Sequence, residues 1–194
     1  MVISLGNILD GELNSRLNAF VAFFSVESII RPAFIKDRNI DSNVTTSLRE
    51  HKYLTNSSFC NVYDNLPLTI DSDAALERAR VLIRQFIEQD ALPFFSYWSD
   101  IRKFLAYLET EDIVVVANDV FYNEGMEKKL IVWWLCGHPN YDKFKRERLA
   151  VYEDEMETLE AYDQRCYKSL LTAIKRLEKV KPLYEWDSSW LEQR

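Results

Sequence analysis

The sequence predicts an α+β fold, with an N-terminal antiparallel sheet packed against a C-terminal array of antiparallel helices. Three observations predict it. The first 70 residues hold apolar runs separated by turn formers, residue 71 opens a run of helical periodicity, and no glycine or proline interrupts residues 141–181. At 194 residues, 47% of them apolar, the chain suits one compact unit with a sheet-rich part, 1–70, and a helical part, 71–194.

The elements follow in order. VISLGNIL, then Asp10-Gly11, then the stretch ending in LNAFVAFFSV outline a hairpin, because apolar segments flank a turn-forming dipeptide. AFVAFFSV is apolar almost throughout, as expected of a strand covered on both faces. SIIRPAFI could continue the sheet, with Pro32 at an edge or bend because proline cannot donate to a ladder. Residues 36–57 are polar and read as loop with a short helix, and SFCNVYD and LPLTI as one more strand and its exit, so the sheet has three to five strands.

From residue 71 the period changes. Asp71, Ser72 and Asp73 are candidate N-caps, and ALERARVLIRQFIEQ carries apolar residues at 76, 79, 82, 83, 86 and 87. Pro93 ends that helix or starts the next, and YWSDIRKFLAYL gives another with Ile101, Phe104, Leu105 and Leu108 on one face. Residues 113–136 are ambiguous. β-propensity makes them a hairpin of strands, whereas Gly125 and Gly137, each placed for a left-handed C-terminal cap, make them two helices. The capping favours helices, and the hairpin stays open. Tyr141 to Lys181 reads as one long helical pattern with a gap near Asp163, open to a kink or break, and LYEWDSSWLEQR folds back on the body.

The stretch most like chemistry is IVWWLCGHPN. A nucleophilic thiol needs a base within hydrogen-bond reach, yet residues two apart at a helix end point about 200° apart. Cys136 is therefore expected to be an inert core residue, and His138 a polar residue at a helix C-terminus, where its charged form is favourable. His51 and His138 are the only histidines, and neither HExxH nor paired-cysteine spacing occurs, so no metal site is expected. Asp71 and Asp73 lack the loop of a calcium site and read as caps. Four glycines form no phosphate-cradling loop, no GxSxG elbow is present, and no cofactor is expected. No catalytic residue is nominated, although 31 acidic residues leave room for an unrecognised carboxylate pair.

The charge of −7 is spread evenly, with nine basic and twelve acidic residues in 1–97 and fifteen and nineteen in 98–194. This disfavours nucleic acid and favours a basic protein as partner. Cys60, Cys136 and Cys166 suit three reduced thiols, and the N-terminus lacks the pattern of a signal peptide. No apolar run approaches a membrane span, so a cytoplasmic protein without membrane contact is expected. Two features suit an interaction surface: the acidic run with Glu153, Asp154, Glu155 and Glu157, and the tail pair Trp186 and Trp190. Their simpler readings are a solvated helix face and a tail pinned to its own domain.

The order of elements, with LERARVLIRQFIEQDALPFF and NEGMEKKL in it, resembles uncharacterised bacterial α+β domain families of unknown function, sheet first and helical hairpins after. The likeness spans residues 1–136. It implies that fold, brings no catalytic residues, and implies a chain without the N-terminal helix that usually precedes the first strand. The functional expectation is a non-catalytic protein acting through a protein partner, such as an acidic immunity-type or accessory protein binding a basic one. The alternatives are a small-molecule-binding domain or enzyme using a carboxylate pair between sheet and helices, and a structural homodimer.

Overall fold

A computed structural model describes residues 2–9, 12–21, 23–37, 56–58, 70–109, 125–154, 158 and 160–192. Two compact units emerge, each assembled from separated stretches: residues 1–22 with 56–100, and residues 23–55 with 101–194.

In the smaller unit, β1 (Val2–Leu9) and β2 (Glu12–Val21) pair antiparallel with Val2 opposite Phe20 and Leu9 opposite Glu12. The register shifts between Leu5 and Asn7. A three-residue β3 (Asn56–Ser58) pairs antiparallel with the end of β2. Helix α2 (Asp73–Phe86) begins at Ser72, whose side chain accepts the Ala75 N–H at 3.2 Å and so satisfies one of the donors left over in a first turn. Ala75, Ala79 and Phe86 form its buried stripe. A π-turn over Ile87–Ala91 joins α2 to α3 (Leu92–Tyr97), with the Leu92 N–H bonding the Ile87 carbonyl five residues back. Pro93 in the first turn of α3 lacks the N–H that would continue the regular ladder, and a π-turn just before it absorbs the mismatch.

The larger unit contains helices and turns only, among its described residues: α1 (Phe24–Asp37), a 3₁₀ turn (Ile101–Phe104), α4 (Leu105–Leu108), α5 (Gly125–Leu135), α6 (Tyr141–Asp154), α7 (Ala161–Leu177) and a last 3₁₀ turn (Ser188–Glu192). This overturns the α+β expectation, because the interpretable fold is helical and a segment expected to continue the sheet is helix. The physical reason lies in α1, which contains SIIRPAFI, the segment that could continue the sheet. Val26, Ile29, Ile30 and Ala33 are buried at helical spacing, a period obscured in the sequence by neighbouring apolar residues and by Pro32. Pro32 sits inside the helix and cannot bond the Ser28 carbonyl. Arg176 on α7 donates to that carbonyl instead, at 3.3 Å.

Helix α5 is the axis of the unit and touches α1, the 3₁₀ turn, α4, α6 and α7. Residues 125–135 are thus helix rather than strand, while 113–124 lie outside the described residues. Gly125 stands at the start of α5, and Gly137 is the only glycine with positive φ among the described residues. Lys128 has a side chain only 1% exposed, and its Nζ lies 3.8 Å from Oε1 of buried Glu27 on α1. The long pattern from Tyr141 breaks into α6 and α7, which fold back on each other. The Tyr152 and Tyr167 rings meet at 5.5 Å, tilted by 37°, and Lys145 reaches Glu178 at 3.4 Å.

Removing one member of a buried ion pair strands the other. Lys128→Met is therefore expected to cost about 3 kcal/mol of unfolding free energy in urea, with an unchanged m-value. The double variant with Glu27→Gln recovers part of that loss.

Candidate functional site

The chemistry-bearing residues converge where α5 ends. Gly137 adopts φ +64°, the left-handed conformation that costs a side chain strain. The His138 N–H bonds the Trp133 carbonyl at 2.8 Å and the Gly137 N–H bonds the Trp134 carbonyl at 3.0 Å, the paired bonds of a Schellman cap. Such caps bring the residue after the glycine back against the last turn of the helix. Here that contact is the His138 ring stacked on Trp133, 4.0 Å between centroids and 11° from parallel.

Four neighbours then enclose the imidazole. Trp186 meets it edge-on at 4.3 Å. Nε2 lies 2.8 Å from Oε1 of Glu109, at the C-terminal cap of α4, and Nδ1 accepts the Asn140 N–H at 3.1 Å. An Nδ1 that accepts places the single proton on Nε2, so the ring is neutral and donates to Glu109. Burial lowers the histidine's affinity for a second proton, the Glu109 charge and hydrogen bond oppose that, and nearby Lys129 adds to it. The net direction is down. The expectation of a charged histidine at the helix C-terminus is corrected accordingly: its side chain is 2% exposed, and desolvation outweighs the helix dipole.

The residues after α7 complete the enclosure. Val180 accepts from Trp134 Nε1 at 2.7 Å, and the Leu183 and Tyr184 N–H groups both bond the Leu135 carbonyl. A Cβ on Gly137 would stand 3.1 Å from the Tyr184 carbonyl oxygen. The Arg102 guanidinium lies 4.9 Å from the Tyr184 ring and 5.4 Å from that of Trp190. Lys129 on α5 lies over Trp133 at 4.6 Å and Phe144 at 4.9 Å.

A base needs a free lone pair and a face open to substrate. His138 has neither, since both ring nitrogens are engaged, one face is stacked on Trp133, Trp186 packs against it at a steep angle, and the side chain is only 2% exposed. Cys136 is wholly buried and Cys166 is buried, and neither is in a disulfide. Among the described residues, no group of three or more histidine, cysteine or acidic side chains could hold a metal ion. None of their helices is long and apolar enough to cross a membrane.

The residues read as a partner surface divide. Glu153 and Asp154 stand exposed in the last turn of α6, where Glu153 accepts the Tyr167 hydroxyl at 3.0 Å. Glu155 and Glu157 lie outside the described residues, as do Cys60 and His51. Trp186 is half-buried and Trp190 buried, and they meet edge-to-face at 6.0 Å. They do not share a helix face: Trp190 lies in the 3₁₀ turn, whose start Asp187 fixes by accepting the Ser189 N–H. Glu109 went unnoticed because nothing in the sequence couples position 109 to 138. The Glu127-Lys128-Lys129 triplet inside an apolar run was the available signal for buried charge.

Comparisons with known proteins add nothing to this geometry, since no family model, no curated protein and no solved structure matches the chain.

Two outcomes test this description. Gly137→Ala is expected to cost about 1–2 kcal/mol in urea unfolding, from the left-handed backbone alone, and more if the Tyr184 carbonyl cannot shift. Cys136 should resist a thiol reagent in the native state and react once the chain is unfolded, as peptide mapping of the labelled sites would show.

Proposed function

We propose that the chain is a non-catalytic protein that works through a basic protein partner. The observation that carries this reading is the acidic end of α6. Glu153 and Asp154 are exposed there, and no lysine or arginine among the described residues forms an ion pair with either. Three of the four basic residues earlier in the same helix are engaged, Lys143 with Glu147, Lys145 with Asp142 and Glu178, and Arg148 with the Tyr152 hydroxyl, and the fourth, Arg146, is exposed two turns before the acidic end. The acidic pair at the far end adds negative potential there, in a chain whose net charge is −7. Exposed charges of this kind steer encounter and set salt dependence more than they hold a complex together.

The non-catalytic half of the reading is supported by the fate of the reactive side chains. His138 and Cys136 are parts of a helix cap, and their surroundings serve packing rather than turnover.

The test is retention on the immobilised full chain from a cell lysate at low and high salt, beside the double variant Glu153→Lys/Asp154→Lys. A basic protein should be held at low salt, released at high salt, and bound about tenfold more weakly by the variant. Retention indifferent to both salt and charge reversal, or no basic protein retained at all, would overturn the proposal.

A further inference from the structure

The enclosure of His138 has one wall unlike the others. Trp133 is fixed in α5, Asn140 in the turn that enters α6, and Glu109 at the end of α4. Trp186 belongs instead to residues 180–192, a strap held on α5 by the Trp134 Nε1 bond to Val180 and the two N–H bonds to the Leu135 carbonyl. The ring's hydrogen bonds suit only its neutral form. A second proton would sit on Nδ1 and face the Asn140 N–H, donor against donor.

We propose that His138 is a pH-operated latch for the C-terminal strap, closed while the imidazole is neutral and released when it gains a second proton.

The charged and titratable groups around the ring decide the direction. Glu109 from α4 favours the cation, and Lys129 from α5 opposes it. Trp133 and Trp186 present rings, and the turn presents the Asn140 N–H. On the strap, Glu185 is exposed, and Asp187 is exposed and bonded to Ser189. At the start of α6, exposed Asp142 is paired with Lys145. One carboxylate therefore stands against burial, a nearby ammonium and a misdirected donor. A protonated ring gains most by reaching water, and the wall that yields is Trp186, already half-exposed on a strap whose residues 181–189 are exposed or half-exposed.

The sign follows. The closed ring binds its second proton less readily than a free histidine, whose ordinary pKa is about 6.5. Closure is fully favoured above that value and is lost as pH falls through the lower value of the closed state.

Hydrogen exchange by mass spectrometry on the full chain reads this directly, as protection factors corrected for the intrinsic pH dependence of exchange. Between about pH 7.5 and about pH 5, either side of the histidine range, strap amides including Leu183 and Tyr184 should lose about tenfold protection per unit of pKa displacement. The amides of α7 over 169–177 should keep theirs. His138→Gln should abolish this pH dependence. Glu109→Gln removes the group that favours the cation, widens the gap between the closed and the free ring, and should deepen the loss of strap protection at pH 5. Equal strap protection at both pH values, pH dependence surviving in His138→Gln, a loss no deeper in Glu109→Gln, or α7 opening together with the strap would each overturn the latch.

Discussion

A helix carrying Glu127, Lys128 and Lys129 in succession can be buried on every side only if each charge finds compensation as it leaves water. In α5 that constraint orders the larger unit. Lys128 brings in α1 through Glu27, and Lys129 is laid over the rings of Trp133 and Phe144, the second of them on α6. Glu127 lies close enough to Tyr152 on α6 to join burial in raising that phenol's pKa, against the lowering effect of Arg148. The remaining positions, Leu130, Ile131, Val132 and Leu135, are apolar and buried. At about 1.5–3 kcal/mol for a fully buried aliphatic side chain, they supply the drive that keeps three charges inside.

The end of that helix poses a second constraint. Its last carbonyls lie in the interior and need donors. Gly137 and His138 supply two by turning back, and the strap supplies two more to Leu135. A motif that a sequence reader examines for catalysis is thus engaged in terminating a helix. The same stacking that completes the cap removes His138 from solvent, which makes its neutral form the structural one.

Legibility in the sequence followed the range of the interactions. Ser72 as one of three candidate caps, the helical stripe after it, the break forced near Pro93, the left-handed Gly137 and the returning tail are local, and residues within a few positions of each other specify them. Helix α1 was misread because apolar residues on both sides of its buried stripe masked the period, and because Pro32 argues against a helix unless a distant donor is known. The division into α6 and α7 is one that an apolar stripe cannot register. Glu160 is extended at ψ 158° just before α7 resumes. In the site, the burial of Cys136 was readable from its neighbours, whereas Glu109, Trp186 and Lys129 meet at His138 only through tertiary packing.

The bond from Arg176 to the Ser28 carbonyl spans 148 residues of chain. On the ribosome, α1 emerges long before the donor that repairs its proline gap exists, and its buried face waits for α5 and α7 as well. The smaller unit ends at residue 100, before the second stretch of the larger one begins, and is fully synthesised first. The larger unit therefore closes last, around a loop of chain that has already emerged, and its assembly carries the entropic delay of long-range contacts. A nascent chain stopped between α5 and α7 would hold α1 against only one of its two main helix partners, with the gap at its proline still unrepaired.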